Sequence, residues 1–306
     1  YKPFGIILFK RNILNFNQTK KLIKSIKSVH SKIHILIDQE GGIVNRFPKL
    51  KEFNFLDNFD YYQTYLNYPS LAKQLVYLKS FITSYHLSEM GFDINTIPVL
   101  DIPNSKTISM IKKRTFGSDL DISIKLNEIL VNTSIFMGIT PVMKHIPGHG
   151  LTSKDSHLSL PTVSSSLKIL HNQLKLFQYF KHLPYAMTAH IKYEKWDKKN
   201  MATYSKSVIQ KIIRQQIKFR GLIMSDDMTM KANQYDIKQS IIKCNQSGVD
   251  IFLDCSSNWG RYLEVIQSFK VTSRYKNSLK NKKAKGKVDL KSINIIQYHD
   301  LYNELI

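Results

Sequence analysis

The 306-residue sequence predicts an α/β fold, a (β/α)8 barrel of the TIM type, on three observations. Short apolar runs alternate with longer amphipathic stretches along the chain, the pattern of parallel strands joined by crossover helices. Polar residues able to do chemistry stand at the C-terminal ends of the apolar runs, where such a barrel assembles its active site. No G-x-G-x-x-G or Walker-type loop is present, as an open doubly wound sheet binding a nucleotide would have.

The strand candidates, in order, are Gly5–Phe9, Ile33–Asp38, Asp93–Pro98, Pro141–His145, Ala186–His190, Leu222–Asp226 and Val249–Asp254. Each is too short for a stable helix and apolar on both faces, as expected of a buried parallel strand. Between them Gln18–Val29, Leu71–Met90, Leu120–Met137, Ser165–Phe180, Ser207–Phe219 and Ile237–Ser247 read as helices. Seven strands are one short of a closed barrel, so the opening strand is expected before Tyr1. Residues 1–269 are expected to form the barrel. Residues 270–306 form a basic C-terminal segment that ends in a helix at Ile293–Ile306, packed on the barrel.

Composition narrows the class. Hydrophobic residues make up 42%, with 16 Phe and 16 Tyr, enough for a large core. No run approaches the ~20 apolar residues of a membrane span. Cys244 and Cys255 alone rule out a disulfide scaffold and a cysteine-rich zinc module, and they fit a reducing compartment. Nothing near Tyr1 has the layout of a signal peptide, and a targeting segment upstream of Tyr1 stays open; the expected location, in keeping with the two cysteines, is cytoplasmic. The net charge is +22, of which Lys270–Lys291 supplies +8. That run lacks the interleaved aromatics of single-strand binders, and a solvated basic surface is the simpler reading than a nucleic-acid site.

Three segments could carry chemistry. Lys144-His145-Ile146-Pro147-Gly148-His149-Gly150 leads to Asp155-Ser156-His157, three histidines within thirteen residues. The Pro-Gly between His145 and His149 prevents a helical metal pair, so no metal is expected. A hinged loop after a strand fits better, with Asp155 orienting the His157 imidazole as a proton donor and acceptor near neutral pH. Ser225-Asp226-Asp227 ends another strand. An acid there is a nucleophile, a general base, a metal ligand or a cap, with capping the stronger reading for Asp227. Asp38-Gln39-Glu40-Gly41-Gly42 also ends a strand in acids. Its carboxylate suits sugar hydroxyls, and Arg46 and Arg114 offer planar donors, although each arginine alone reads as a structural ion pair.

Together these words resemble glycoside hydrolase family 3, most closely its bacterial NagZ-type β-N-acetylglucosaminidases (β-hexosaminidases). They are IDQEGG followed by NRF (Ile37–Phe47), DINTIPVLDI (Asp93–Ile102), RTFG (Arg114–Gly117) and KHIPGHG with DSH and LP (Lys144–Pro161). MTAHIKY (Met187–Tyr193), MATYS (Met201–Ser205) and FRGLIMSDDMTM (Phe219–Met230) complete the set. The resemblance implies retaining hydrolysis of a terminal β-linked N-acetylglucosamine from peptidoglycan fragments, without a cofactor. It also implies Asp226 as nucleophile and Asp155 with His157 as the acid/base dyad. Asp38, Arg46, Arg114, Lys144 and His145 match positions that hold the sugar and its acetamido group. Ile43 stands where the family usually has arginine, and Ile146 where it usually has phenylalanine.

The chemistry is coherent. Retaining glycosidases commonly pair two carboxyls ~5 Å apart, and here an imidazole would replace the acid/base carboxyl. A neutral base tolerates an anionic acceptor, so phosphorolysis is an alternative outcome on the same fold. The missing first strand would also fit an inactive truncated relative, and the basic surface a nucleic-acid-binding protein. The expected partner is a small carbohydrate, with no membrane and no specific nucleic acid, and the expected state is a monomer.

Overall fold

A computed structural model describes residues 3–154, 156, 158–280 and 288–306. It is an α/β protein with two compact units. One comprises Lys2–Pro98, Lys113–Val142 and Ala284–Ile306, and the other Val99–Lys112 and Met143–Lys283.

In chain order the first unit holds strands β1 (Gly5–Leu8), β2 (His34–Ile37) and β3 (Ile94–Asn95), and the start of β4 (Thr140–Ile146). Its helices are α1 (Phe16–Val29), α2 (Asn58–Asn67), α3 (Pro69–Met90) and α5 (Leu120–Phe136), with α4 (Ser109–Lys113) ending at its border and α10 (Ile295–Leu305) closing the chain. The strands lie in the order β1-β2-β3-β4. They pair in parallel, with Gly5 opposite His34, Leu36 opposite Ile94 and Ile94 opposite Thr140. β2 is buried from Ile35 to Ile37, as its apolar sequence requires. The Asp93 carboxylate accepts the Ile35 amide at 2.8 Å and pairs with Lys27 at 3.0 Å, fixing where β3 begins. Asn15 caps α1 by accepting from the Gln18 amide, and Asp119 caps α5 by accepting from the Ile122 amide.

α10 packs on α3. Tyr298 stacks on Phe81 with centroids 4.3 Å apart, and the Tyr302 ring meets Phe55 edge-on at 5.1 Å. The buried Tyr302 hydroxyl lies 2.5 Å from that of Tyr61, and ring nitrogens of His86 and His299 lie 3.0 Å apart. Burial and the neighbouring His299 push the His86 imidazole down to about 4.

The second unit takes the end of β4 and adds β6 (Tyr185–Thr188) and β8 (Leu222–Met224) in the order β4-β6-β8. β5 (Thr162–Val163) and β7 (Lys192–Tyr193) form a separate parallel pair. Its helices are α6 (Leu167–Tyr179), α7 (Ile237–Ser247), α8 (Trp259–Ser268) and α9 (Ser273–Lys280), with a π-helical segment at Val208–Gln216. β6 and β8 pair in parallel from Tyr185 opposite Leu222 to Met187 opposite Met224.

The expected strand at Val249–Asp254 shortens to a single bridge between Met224 and Ile251. The amides of Asp250 and Ile251 both donate to the Ile223 carbonyl, and the Asp250 side chain accepts the Ile223 amide at 2.8 Å. One carbonyl serving two amides stops the ladder from advancing. β3 is shortened in a similar way, because the Ile97 amide turns back to the Asn95 carbonyl. The short pair β5–β7 and the helices α2, α4, α8 and α9 were not among the sequence expectations.

Arg214 locks the base of β8. Its buried guanidinium donates to the carbonyls of Phe219 and Gly221 and to Asp250 at 2.8 Å. Burial draws this arginine down to about 10, against the pull of Asp250. No helix among the described residues is long and apolar enough to cross a membrane.

Removing one partner of a buried ion pair leaves an uncompensated charge. Asp250→Ala is therefore expected to destabilise the protein by about 3–5 kcal/mol in urea denaturation. A loss below about 1 kcal/mol, the range of an exposed pair, would mean that the two carbonyls alone satisfy Arg214.

Candidate active site

In the second unit the apolar strand β4 carries Lys144 and His145 into the core, where they are 1% and 4% exposed. A buried imidazole needs a partner, and Asp101 supplies it. The His145 Nδ1 nitrogen lies 2.8 Å from Asp101 Oδ2, and the other carboxylate oxygen accepts the His149 amide at 2.6 Å. Nδ1 donates in this pairing, which leaves Nε2 as the other face of the ring. Burial alone would raise the Asp101 carboxyl, but His145 and His149 lower it to about 2.

The loop after β4 is pinned by its own polar groups. The Thr152 hydroxyl lies 2.9 Å from His149 Nδ1, and the Ser156 hydroxyl lies 3.2 Å from His149 Nε2. Glycine is required at position 150, where a Cβ would run into the Ile102 carbonyl. Asp155 and His157, the expected acid/base dyad, lie outside the described residues.

Asp226 stands two residues beyond β8, half-buried, and accepts the Asp227 amide at 2.8 Å. Burial would raise its carboxyl, yet His190, His145, the Asp227 amide and Lys144 together hold it below the ordinary carboxylate value. The arrangement therefore keeps an ionised carboxylate at a strand end at neutral pH. Asp227 turns the other way. It accepts the Thr229 amide and hydroxyl and the Cys255 amide, so it caps a turn rather than a helix. Asp254, three residues past the Ile251 bridge, is taken up by the Arg261 guanidinium at 2.7 Å.

His190 was visible at a strand end but had no role assigned from sequence. It is fully buried; its Nδ1 lies 2.8 Å from the Thr203 hydroxyl, and its Nε2 donates to the Asp227 carbonyl at 3.2 Å. Burial pushes this imidazole below its ordinary value, against the opposite pull of Asp226. The Asp227 carbonyl can only accept, so the ring presents an Nε2–H toward the acid pair.

The first unit holds the remaining predicted residues. Asp38, one residue past β2, binds Arg46 at 2.6 Å through Oδ2 and accepts the Thr96 hydroxyl at 2.7 Å through Oδ1. Arg114 is buried and forms a two-pronged pair with Glu40, Nε to Oε2 at 2.9 Å and Nη2 to Oε1 at 2.8 Å. Both arginines thus belong to ion pairs. Behind them, Lys79 donates to Asn58 at 2.6 Å, and Asn58 donates to the Arg114 carbonyl at 2.8 Å. Burial draws the Lys79 ammonium down to about 8, with Glu40 opposing. Glycine at position 42 has φ of +58° and lets the turn close on Asp57, whose carboxylate accepts the Ile43 amide at 2.7 Å. Glu40 and Lys79 were not singled out from sequence. The only hint was their position, Glu40 beside Asp38 and Lys79 as a lysine on the apolar face of a helix.

Parallel strands alternating with helices and an ionised carboxylate among histidines and a lysine at strand ends define the class, an α/β enzyme of the glycosidase type. The profile described as the glycosyl hydrolase family 3 N terminal domain matches residues 3–284. The chain belongs to that family and is a glycoside hydrolase. A beta-hexosaminidase of Shewanella frigidimarina is 32% identical over 267 residues, covering 84% of this chain and 76% of the relative. One of Psychromonas ingrahamii is 30% identical over 295 residues, covering 92% and 85%. The crystal structure of NagZ from Neisseria gonorrhoeae with N-trifluoroacetyl-D-glucosamine superposes with a TM-score of 0.87 at 26% identity, over 99% of this chain and 90% of that one. The α/β fold is thus the TIM-type barrel domain of the family, as the strand–helix alternation predicts, and the likeness to its NagZ-type members spans nearly the whole chain.

A carboxyl held near 2 when folded and at ~3.9 when unfolded contributes stability that is complete above about pH 4 and lost as pH falls toward 2. Wild type is expected to lose about 2 kcal/mol over that window through Asp101. Asp101→Asn should lack this component. Parallel acid slopes for the two proteins in denaturant titrations would contradict the assignment.

Proposed function

We propose that the protein is a retaining exo-β-N-acetylglucosaminidase that removes terminal β-linked N-acetylglucosamine from peptidoglycan fragments in cell-wall recycling, acting as a cytoplasmic monomer. The observation that carries this reading is the Asp226 carboxylate, held ionised beyond β8 by His190, His145 and Lys144. The beta-hexosaminidase relatives and the seven motif words support the sugar specificity.

In the first step an Asp226 oxygen attacks the anomeric carbon while the His157 imidazolium protonates the departing glycosidic oxygen. The bond to the aglycone breaks and a glycosyl ester forms on Asp226. His157, now neutral, then takes a proton from water, which displaces Asp226 and releases the sugar with its configuration retained. Asp155 is the partner that orients the imidazole and stabilises its cationic form. His190, through the Asp227 carbonyl, positions the turn that carries the nucleophile. By motif match, Asp38, Arg46, Arg114, Lys144 and His145 hold the hydroxyls and the acetamido group. The ion pairs of Asp38 with Arg46 and of Glu40 with Arg114 pre-orient those donors, limiting the ordering cost on binding.

Asp226→Ala is expected to reduce release of 4-nitrophenol from its N-acetyl-β-glucosaminide more than a hundredfold, about 2.7 kcal/mol or more of lost barrier reduction. Retention of more than about a hundredth of wild-type activity would remove Asp226 as nucleophile. His157→Ala should lose less on the aryl glycoside, whose leaving group needs little protonation, than on a natural disaccharide. Equal losses would argue against the general-acid role. Formation of N-acetylglucosamine 1-phosphate in phosphate buffer would make the enzyme a phosphorylase instead.

A further inference from the structure

Beneath the double-glycine turn that follows β2, the first unit buries a lysine. Lys79, midway along α3, is 2% exposed, a position that lysine almost never takes without a partner. The turn rests on its stem. Gly41 has φ of +81°, and a Cβ there would stand 2.8 Å from Lys79 Cε and 3.1 Å from Nζ. The ammonium therefore lies directly under the backbone that joins Glu40 to Gly42.

The Lys79 ammonium donates to Asn58 Oδ1 at 2.6 Å and stands 5.1 Å from the centre of the Tyr61 ring. The charged groups acting on it are Glu40 from the strand-end turn and Asp57 and Asp60 from the start of α2. Asn58 is held at both ends, because its amide nitrogen donates to the Arg114 carbonyl at 2.8 Å. One side chain thus relays from the ammonium to the backbone of the arginine that grips Glu40 in a fork. A cation on the amide oxygen polarises the group and strengthens the N–H bond at its other end. A methionine of similar length would fill the site without the cost of burying a charge. What the charge supplies, and an apolar stem could not, is a fixed direction for Asn58.

We infer that Lys79 is a positioning residue of the sugar site, its ammonium holding Asn58 and through it the Arg114 backbone, so that loss of this charge weakens sugar binding and spares the chemical step. The inference rests on the reading of Arg114 as a sugar-holding residue and adds to it the group that sets its place. Burial draws the ammonium down to about 8. It is charged at neutral pH and sheds its proton as pH rises through that value, so affinity for the sugar should fall on the alkaline side.

The test measures N-acetylglucosamine as a competitive inhibitor of wild type, Lys79→Met and Asn58→Leu. Between about pH 7 and 9 the wild-type inhibition constant should rise about threefold or more as the charge-assisted bond is lost. Both variants should show the weaker affinity already at about pH 7 and no further change up to about pH 9. Their KM on 4-nitrophenyl N-acetyl-β-glucosaminide should rise, with kcat within about twofold of wild type. In an Arg114→Ala background, Lys79→Met should add nothing, because the two act as one unit. A wild-type constant that stays flat across the pH range would overturn the inference, and that measurement needs no variant to fold. Additive effects of the two substitutions, or a loss confined to kcat, would overturn it as well. If Arg114→Ala leaves affinity unchanged, the sugar-holding reading of Arg114 has failed rather than the relay. The Arg114 Nε–H resonance then decides the relay, since a signal that does not shift over the same pH range would overturn it.

Discussion

A single buried carboxylate organises the second unit. Asp101 is sealed from solvent, and an isolated charge in that position would be untenable. It persists because one oxygen faces the His145 ring and the other takes the His149 amide. That double attachment ties the end of β4 to the loop that follows it. The orientation of His145, and through it part of the field on Asp226, follows from how this one acid is compensated. Electrostatic stabilisation by a preorganised site depends on such fixed partners rather than on groups that must swing into place.

The first unit solves the same problem with guanidinium groups. Arg46 and Arg114 are anchored to Asp38 and Glu40, and the two acids are near neighbours in one strand-end turn. An arginine already held in a fork loses little freedom when it meets a ligand, which favours specificity over raw attraction. The buried Lys79–Asn58 contact extends that anchoring one layer inward, to the backbone of Arg114 itself.

Much of this was legible in the amino-acid order. Apolar runs such as His34–Ile37 and Leu222–Met224 became parallel strands because nothing in them competes with the ladder. Asp38, Lys144, His145 and Asp226 stand out in the sequence because they fall at or just past strand ends, where this class of fold carries its chemistry. Partnership was harder to read. Glu40 and Arg114 are 74 residues apart, and no local pattern joins them. The reading of Val249–Asp254 as a full strand missed Asp250, whose side chain takes over an amide that the ladder would have used. His190 looked like any polar strand-end residue until Thr203 and the Asp227 carbonyl fixed the orientation of its ring.

The contact between α10 and α3 carries a further consequence. Tyr298 and Tyr302 cover Phe81, Phe55 and Tyr61, aromatic surface that belongs to the middle of the chain but is shielded by its last dozen residues. A nonsense codon placed just ahead of Tyr298 would spare Asp101, His145, His190 and Asp226 and still strip that cover, leaving a sticky aromatic patch open to self-association. Late truncations of this gene would thus show up as insoluble product rather than as altered turnover, and quality-control proteases would act on them before any substrate did.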